Sequence, residues 1–110
     1  MKLKITITKD CIDNSKRHSG YKCAIANAIR FIFPNAFVWE NGIRVNGIYD
    51  KINEINLPQK ATNCIVAFDL GYELIPGFEF EIDIPDSIVN KINIDELRPL
   101  LVNHKNLELV

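Results

Sequence analysis

The chain has 110 residues, 47% of them hydrophobic and 25% charged, with a formal net charge of −1. That length and balance fit one globular domain with its own apolar core and exclude a largely disordered chain. No apolar run approaches the roughly 20 residues that cross a bilayer, and the overall charge is too small for a mimic of the nucleic-acid backbone.

The chain opens with KLKITIT, which alternates Leu3, Ile5 and Ile7 with Lys2, Lys4, Thr6 and Thr8. That period of two predicts a half-buried strand and argues against a signal peptide. Residues 9–20 are polar and read as an irregular loop. A helix is expected from an N-cap at Ser19, with Ala24, Ile25, Ala28, Ile29 and Ile32 as its apolar stripe and Pro34-Asn35 as its stop. FVWENGIRVNGIYDKINEI carries two Asn-Gly turn signals. Asn41-Gly42 is the preferred type I′ hairpin turn, which sets Val38 opposite Val45 and Trp39 opposite Arg44, with Trp39 covering the arginine.

LPQKATNCIVAFDLG is the clearest helix. Pro58 lies in its first turn, Ala61, Cys64, Ile65 and Phe68 form one face, and Gly71 ends it. GFEFEIDI is a strand with Phe78, Phe80, Ile82 and Ile84 on one face and Glu79, Glu81 and Asp83 on the other. DSIVNKI and DELRPLLVNH are short helical candidates, the second interrupted by Pro99, and LELV is a final short strand. The expected fold is a single α+β domain over residues 1–110. Its core is β-α-β-β-α-β, with about four mostly antiparallel strands, helices on one face and helical turns at the C-terminal end.

Three cysteines, Cys11, Cys23 and Cys64, without a CxxC pair, point to reduced thiols and not to a disulfide framework. Cys11, His18 and Cys23 do not match zinc spacing, so no metal and no cofactor are expected. The chain lacks a nucleophile elbow, a phosphate loop and a dinucleotide fingerprint. The carboxylate row Glu79, Glu81 and Asp83 suits either a hydrolase site or plain pairing with Lys2 and Lys4 on a neighbouring strand.

Charge is unevenly spread. Residues 1–30 hold seven Lys/Arg against Asp10 and Asp13, whereas residues 31–110 hold six against twelve Asp/Glu. Two candidate contact surfaces follow. One is a basic loop of Lys9, Lys16, Arg17, His18 and Lys22 around the helix start, suited to a partner or to phosphate groups. The other is acidic, with Asp69, Glu73, Asp86, Asp95 and Glu96.

SGYKCAIANAI resembles a helix start of the CPIALAL type, and LPQKATNCIVAFDLGYELIPGFEFEI resembles the pattern LPxxVxxFIxxFDxGxxVxPFxFEL. Both are found, after an ITxT-type strand, in small bacteriophage and prophage proteins. The resemblance spans about residues 2–84, departs at Ala24 where proline is common, and brings no catalytic residues with it. It implies a phage- or prophage-encoded binding protein that acts in the cytoplasm of a bacterial host. The expected function is inhibition of a host defence complex, of the anti-CRISPR kind, through a protein or ribonucleoprotein partner. The alternatives are a small nucleic-acid-binding accessory protein that uses the basic loop and a small hydrolase or nuclease. No membrane association is expected.

Overall fold

Three inward residues of the first strand, Leu3, Ile5 and Ile7, are completely buried in the computed structural model, which describes residues 1–47 and 53–110. Their strand, β1 (Lys2–Ile7), is central because both its edges are taken. β5 (Phe78–Asp83) pairs antiparallel along one edge, with Ile5 opposite Phe80 and Leu3 opposite Ile82. β6 (Leu107–Leu109) pairs antiparallel along the other, with Leu3 opposite Leu109 and Ile5 opposite Leu107. The order of this sheet is β5-β1-β6.

A second sheet is the antiparallel meander β2 (Phe37–Trp39), β3 (Gly42–Arg44) and β4 (Glu54–Asn56). The α+β class therefore holds, but a single four-stranded sheet does not. The short C-terminal strand occupies the edge of β1 that the hairpin would have needed, so the hairpin recruits β4 and stands as a sheet of its own. β4 comes into contact with β5, and one cluster of buried side chains includes Ile5, Ile25, Ile43, Ile55 and Ile65 from both sheets and two helices.

The hairpin register also differs from expectation. Val38 faces Ile43, Trp39 faces Gly42 and Phe37 faces Arg44. The two turn residues are Glu40 and Asn41, and neither Asn41 nor Gly42 has the positive φ of a type I′ turn. Gly42 instead lets β4 approach, since a Cβ there would lie 2.8 Å from the Ile55 carbonyl oxygen. The guanidinium of Arg44 still lies over the Trp39 ring, 5.1 Å from its centroid, on a diagonal across the pair. Asn46-Gly47 closes a further turn, with the Gly47 N–H donating to Arg44 O at 3.1 Å. Residues 48–52 of the expected hairpin segment lie outside the described residues.

The helices are α1 (Lys9–Asp13), α2 (Ala24–Ile29), α3 (Gln59–Asp69), α4 (Asp86–Val89) and α5 (Ile94–Leu101). α1 was expected as loop. Thr8 starts it by accepting the Cys11 N–H, and Cys11 anchors it in the core. α2 begins four residues later than the Ser19 cap implied, with Cys23 Sγ accepting the Ala26 N–H. Its Ala24, Ile25, Ala26, Ala28 and Ile29 are all buried, and it lies against β1. α5 runs through Pro99 to Leu101. Of the apolar faces expected for α2, α3 and β5, Ile32, Cys64 and Phe78 are only half-buried, and the other named residues are buried.

Candidate functional site

α3 ends in a hydrogen-bonded stop. The Gly71 N–H donates to Phe68 O and the Tyr72 N–H to Ala67 O, the two bonds of a Schellman motif. Gly71 has φ +103, which an L side chain tolerates poorly. The stop leaves carbonyl groups pointing outward, and Arg17 reaches them. Its Nη1 donates to Phe68 O and, at 3.1 Å, to Tyr72 O, while its Cζ sits 4.2 Å from the centroid of the Phe68 ring. A cation at a helix C-terminus also complements the helix dipole. Next to it, the His18 N–H donates to Asp69 Oδ1 at 2.9 Å, which holds His18 at its left-handed φ of 58.

Arg17 from the basic loop thus meets backbone carbonyls at the end of α3, and the His18 backbone N–H meets Asp69 from the acidic set. The expectation of a helix start with free N–H groups at Ser19-Gly20 is corrected by the same geometry. Ser19 Oγ accepts the Lys22 N–H in a local turn, the Lys16 N–H bonds Lys22 O, and Gly20 O accepts the Val38 N–H from β2. The loop is laid against β2 and α3, and the helix behind it has only six residues. Lys9 pairs with Asp13 at 2.6 Å across one turn of α1. Lys16 and Lys22 remain exposed. Glu73 lines a hollow of about 450 Å³ with Lys9, Arg17 and Phe68. Asp86, Asp95 and Glu96 stand exposed in the first turns of α4 and α5, where carboxylates complement the helix dipole.

The carboxylate row lies beside the lysines of β1, and Glu79 forms an ion pair with Lys4 on a diagonal of the register. Lys2 faces Asp83, Lys4 faces Glu81, and Thr6 faces Glu79. Lys4 Nζ lies 2.9 Å from Glu108 on β6 and 3.9 Å from Glu79 on β5. The hydrogen bond to Glu108, then the charges of Glu108 and Glu79, raise the Lys4 ammonium above its ordinary range. Glu79, Glu81 and Asp83 are exposed, and the first two border an open depression with Lys4 and Lys60. Among the described residues, no three His, Cys, Asp or Glu side chains are grouped to hold a metal ion. None of the described helices is long and apolar enough to cross a membrane.

All three cysteines are free thiols, with Cys11 and Cys23 buried and Cys64 half-buried. Burial, then the proximity of Cys23, pushes the Cys64 thiol up to about 11. Burial likewise raises Cys23, against the lowering effect of the Ala26 and Ile25 N–H groups.

Two features were not read from the sequence. The connection from α3 to β5 displays Leu70, Tyr72 and Ile75 with 73%, 68% and 81% of their surfaces exposed. The available signal was three large apolar residues in LGYELIP, where a turn between Gly71 and the strand calls for polar ones. The second is a cleft of about 290 Å³ between the 18–23 loop, β2 and the C-terminal half of α3. Phe37, Trp39 and Phe68 supply its aromatic walls, and Glu40 and Asp69 are its carboxylates. No family model, no curated protein and no solved structure matches the chain.

Proposed function

We propose that this chain is a non-enzymatic binding protein of a phage or prophage that disables a host defence complex, in the manner of anti-CRISPR proteins. The observation that carries the binding reading is the exposed trio Leu70, Tyr72 and Ile75, beside Asp69 and Glu73. Monomeric proteins rarely leave several large apolar side chains exposed in one short segment unless something covers them. Arg17 and the Schellman stop hold one end of that segment, so its ordering cost on binding is partly met in the free protein. The phage and defence elements of the reading rest on the resemblance of residues 2–84.

Affinity capture from host cells that carry an active defence system tests the reading. The wild-type chain should enrich subunits of one defence complex, and Leu70→Ser/Tyr72→Ser/Ile75→Ser should not. Failure to enrich any defence subunit contradicts it. The nucleic-acid alternative now rests on Lys16 and Lys22, because the Arg17 guanidinium is committed to α3. It requires salt-sensitive binding to single-stranded RNA or DNA that is lost in Lys16→Glu/Lys22→Glu.

A further inference from the structure

The cleft beside α3 has a composition that the binding reading alone does not require. Phe37, Trp39 and Phe68 line it, Glu40 and Asp69 border it, and among the described residues lining it His18 is the one basic side chain, with no Lys or Arg. Its volume of about 290 Å³ is at the lower limit of drug-sized sites and suits one long side chain.

Aromatic rings and carboxylates that line one space attract a cation that has an apolar stem. The same rings already serve cations elsewhere in the fold. Arg17 lies over Phe68, and Arg44 lies over Phe37 and Trp39, from positions outside the cleft lining. The walls are also held in place. The Trp39 indole N–H donates to Glu54 Oε1 at 2.6 Å, and Asp69 is oriented by the His18 N–H. The Phe37 ring packs so closely on Gly20 that a Cβ there would come within 2.3 Å of it. A site built on such fixed walls loses little entropy when it is filled.

We propose that this cleft receives a basic side chain of the bound partner protein, arginine in preference to lysine. The planar guanidinium stacks on aromatic rings while its edge donates to carboxylates, which an ammonium group does less well. The inference rests on the binding-protein reading and adds the partner's chemistry to it. Asp69 and Glu40 then act as the acidic contact, and Leu70, Tyr72 and Ile75, which do not line the cleft, form the apolar contact next to it.

The test is an NMR titration of the intact chain with N-acetyl-arginine amide and, separately, with its uncharged counterpart N-acetyl-norleucine amide. The arginine probe should shift the Trp39 indole and Gly20 amide signals, with weak saturable binding, and the norleucine probe should not. Glu40→Gln/Asp69→Asn should weaken arginine binding about tenfold, because both replacements keep shape and hydrogen-bonding capacity and remove only charge. An unchanged backbone spectrum of that variant shows that its fold is intact. Absence of arginine-induced shifts, equal shifts from norleucine, or unaltered affinity in the variant overturns the proposal. Defence-complex capture in the same variant separates the two readings. Capture that depends on Tyr72 and Ile75 but is indifferent to Glu40 and Asp69 removes the cleft and leaves the binding reading standing. Arginine binding without any captured defence complex does the reverse.

Discussion

Arg17 shows how one residue can reverse the meaning of a charge pattern. Along the sequence it belongs to a basic loop fit for phosphates, yet in the structure its donors serve Phe68 O and Tyr72 O and its plane lies on the Phe68 ring. Arg17→Ala should therefore cost about 1–3 kcal/mol, the range for charged hydrogen bonds plus a cation–π contact. In a thermal melt that is a drop of roughly 4–8 °C per kcal/mol for a domain of this size. A change within error would show that the loop is not anchored there. Linear charge counting could not reveal this, because the partner carbonyls lie 51 and 55 residues away. Cys64 offers a second residue-level check. Its thiol is raised from 9.0 to about 11 by burial, so near pH 8 the folded protein holds about 100-fold less thiolate than the unfolded chain. Iodoacetamide should label Cys64 at least tenfold more slowly in the native protein than in urea. Because the folded value is the higher one, the associated stability is complete below pH 9 and is lost as pH rises toward 11.

Local signals at the scale of elements were legible where sequence and packing agreed. The alternation in KLKITIT and GFEFEID marked β1 and β5, and their pairing explains Lys4 and Glu79 together. Pro58 and Gly71 marked the ends of α3. Gly71→Ala should destabilise by about 1–2 kcal/mol in urea titration, since alanine must take the φ of +103 that closes the helix stop. A neutral result would mean that the stop is not formed. Elements were missed where tertiary contacts decided. α1 is five residues, three of them charged, held by Thr8 and the burial of Cys11, and β4 is three residues recruited by an unpaired hairpin edge. The late start of α2 has the same origin, because Gly20 O is bound to β2 instead of opening a helix. Trp39 and Arg44 were brought together as read, but through a register shifted by the Glu40-Asn41 turn.

Across the whole molecule, the two ends of the chain meet in one sheet, with Val110 N–H bonded to Lys2 O and Ile84 N–H to Met1 O. Removing residues 107–110 should strip the central strand of its β6 partner and of buried Leu107, and lower stability by more than 2 kcal/mol, on the order of a deleted core leucine. Retention of the full-length urea midpoint would refute that role. The charge asymmetry of the sequence survives only in part. The Arg17 guanidinium is bonded to carbonyls at the end of α3, and the strand carboxylates Glu79 and Glu108 pair with Lys4. The connection after α3 still displays Leu70, Tyr72 and Ile75 beside Asp69 and Glu73, and it is the surface on which the proposed binding function rests. The most direct measurement of the central claim is the plaquing efficiency of a CRISPR-targeted phage on an immune host that expresses this chain. The wild-type chain should restore plaques by orders of magnitude, and Leu70→Ser/Tyr72→Ser/Ile75→Ser, folded and equally abundant, should not. Full restoration by the triple variant, or no restoration by the wild type in any immune host tried, would contradict it.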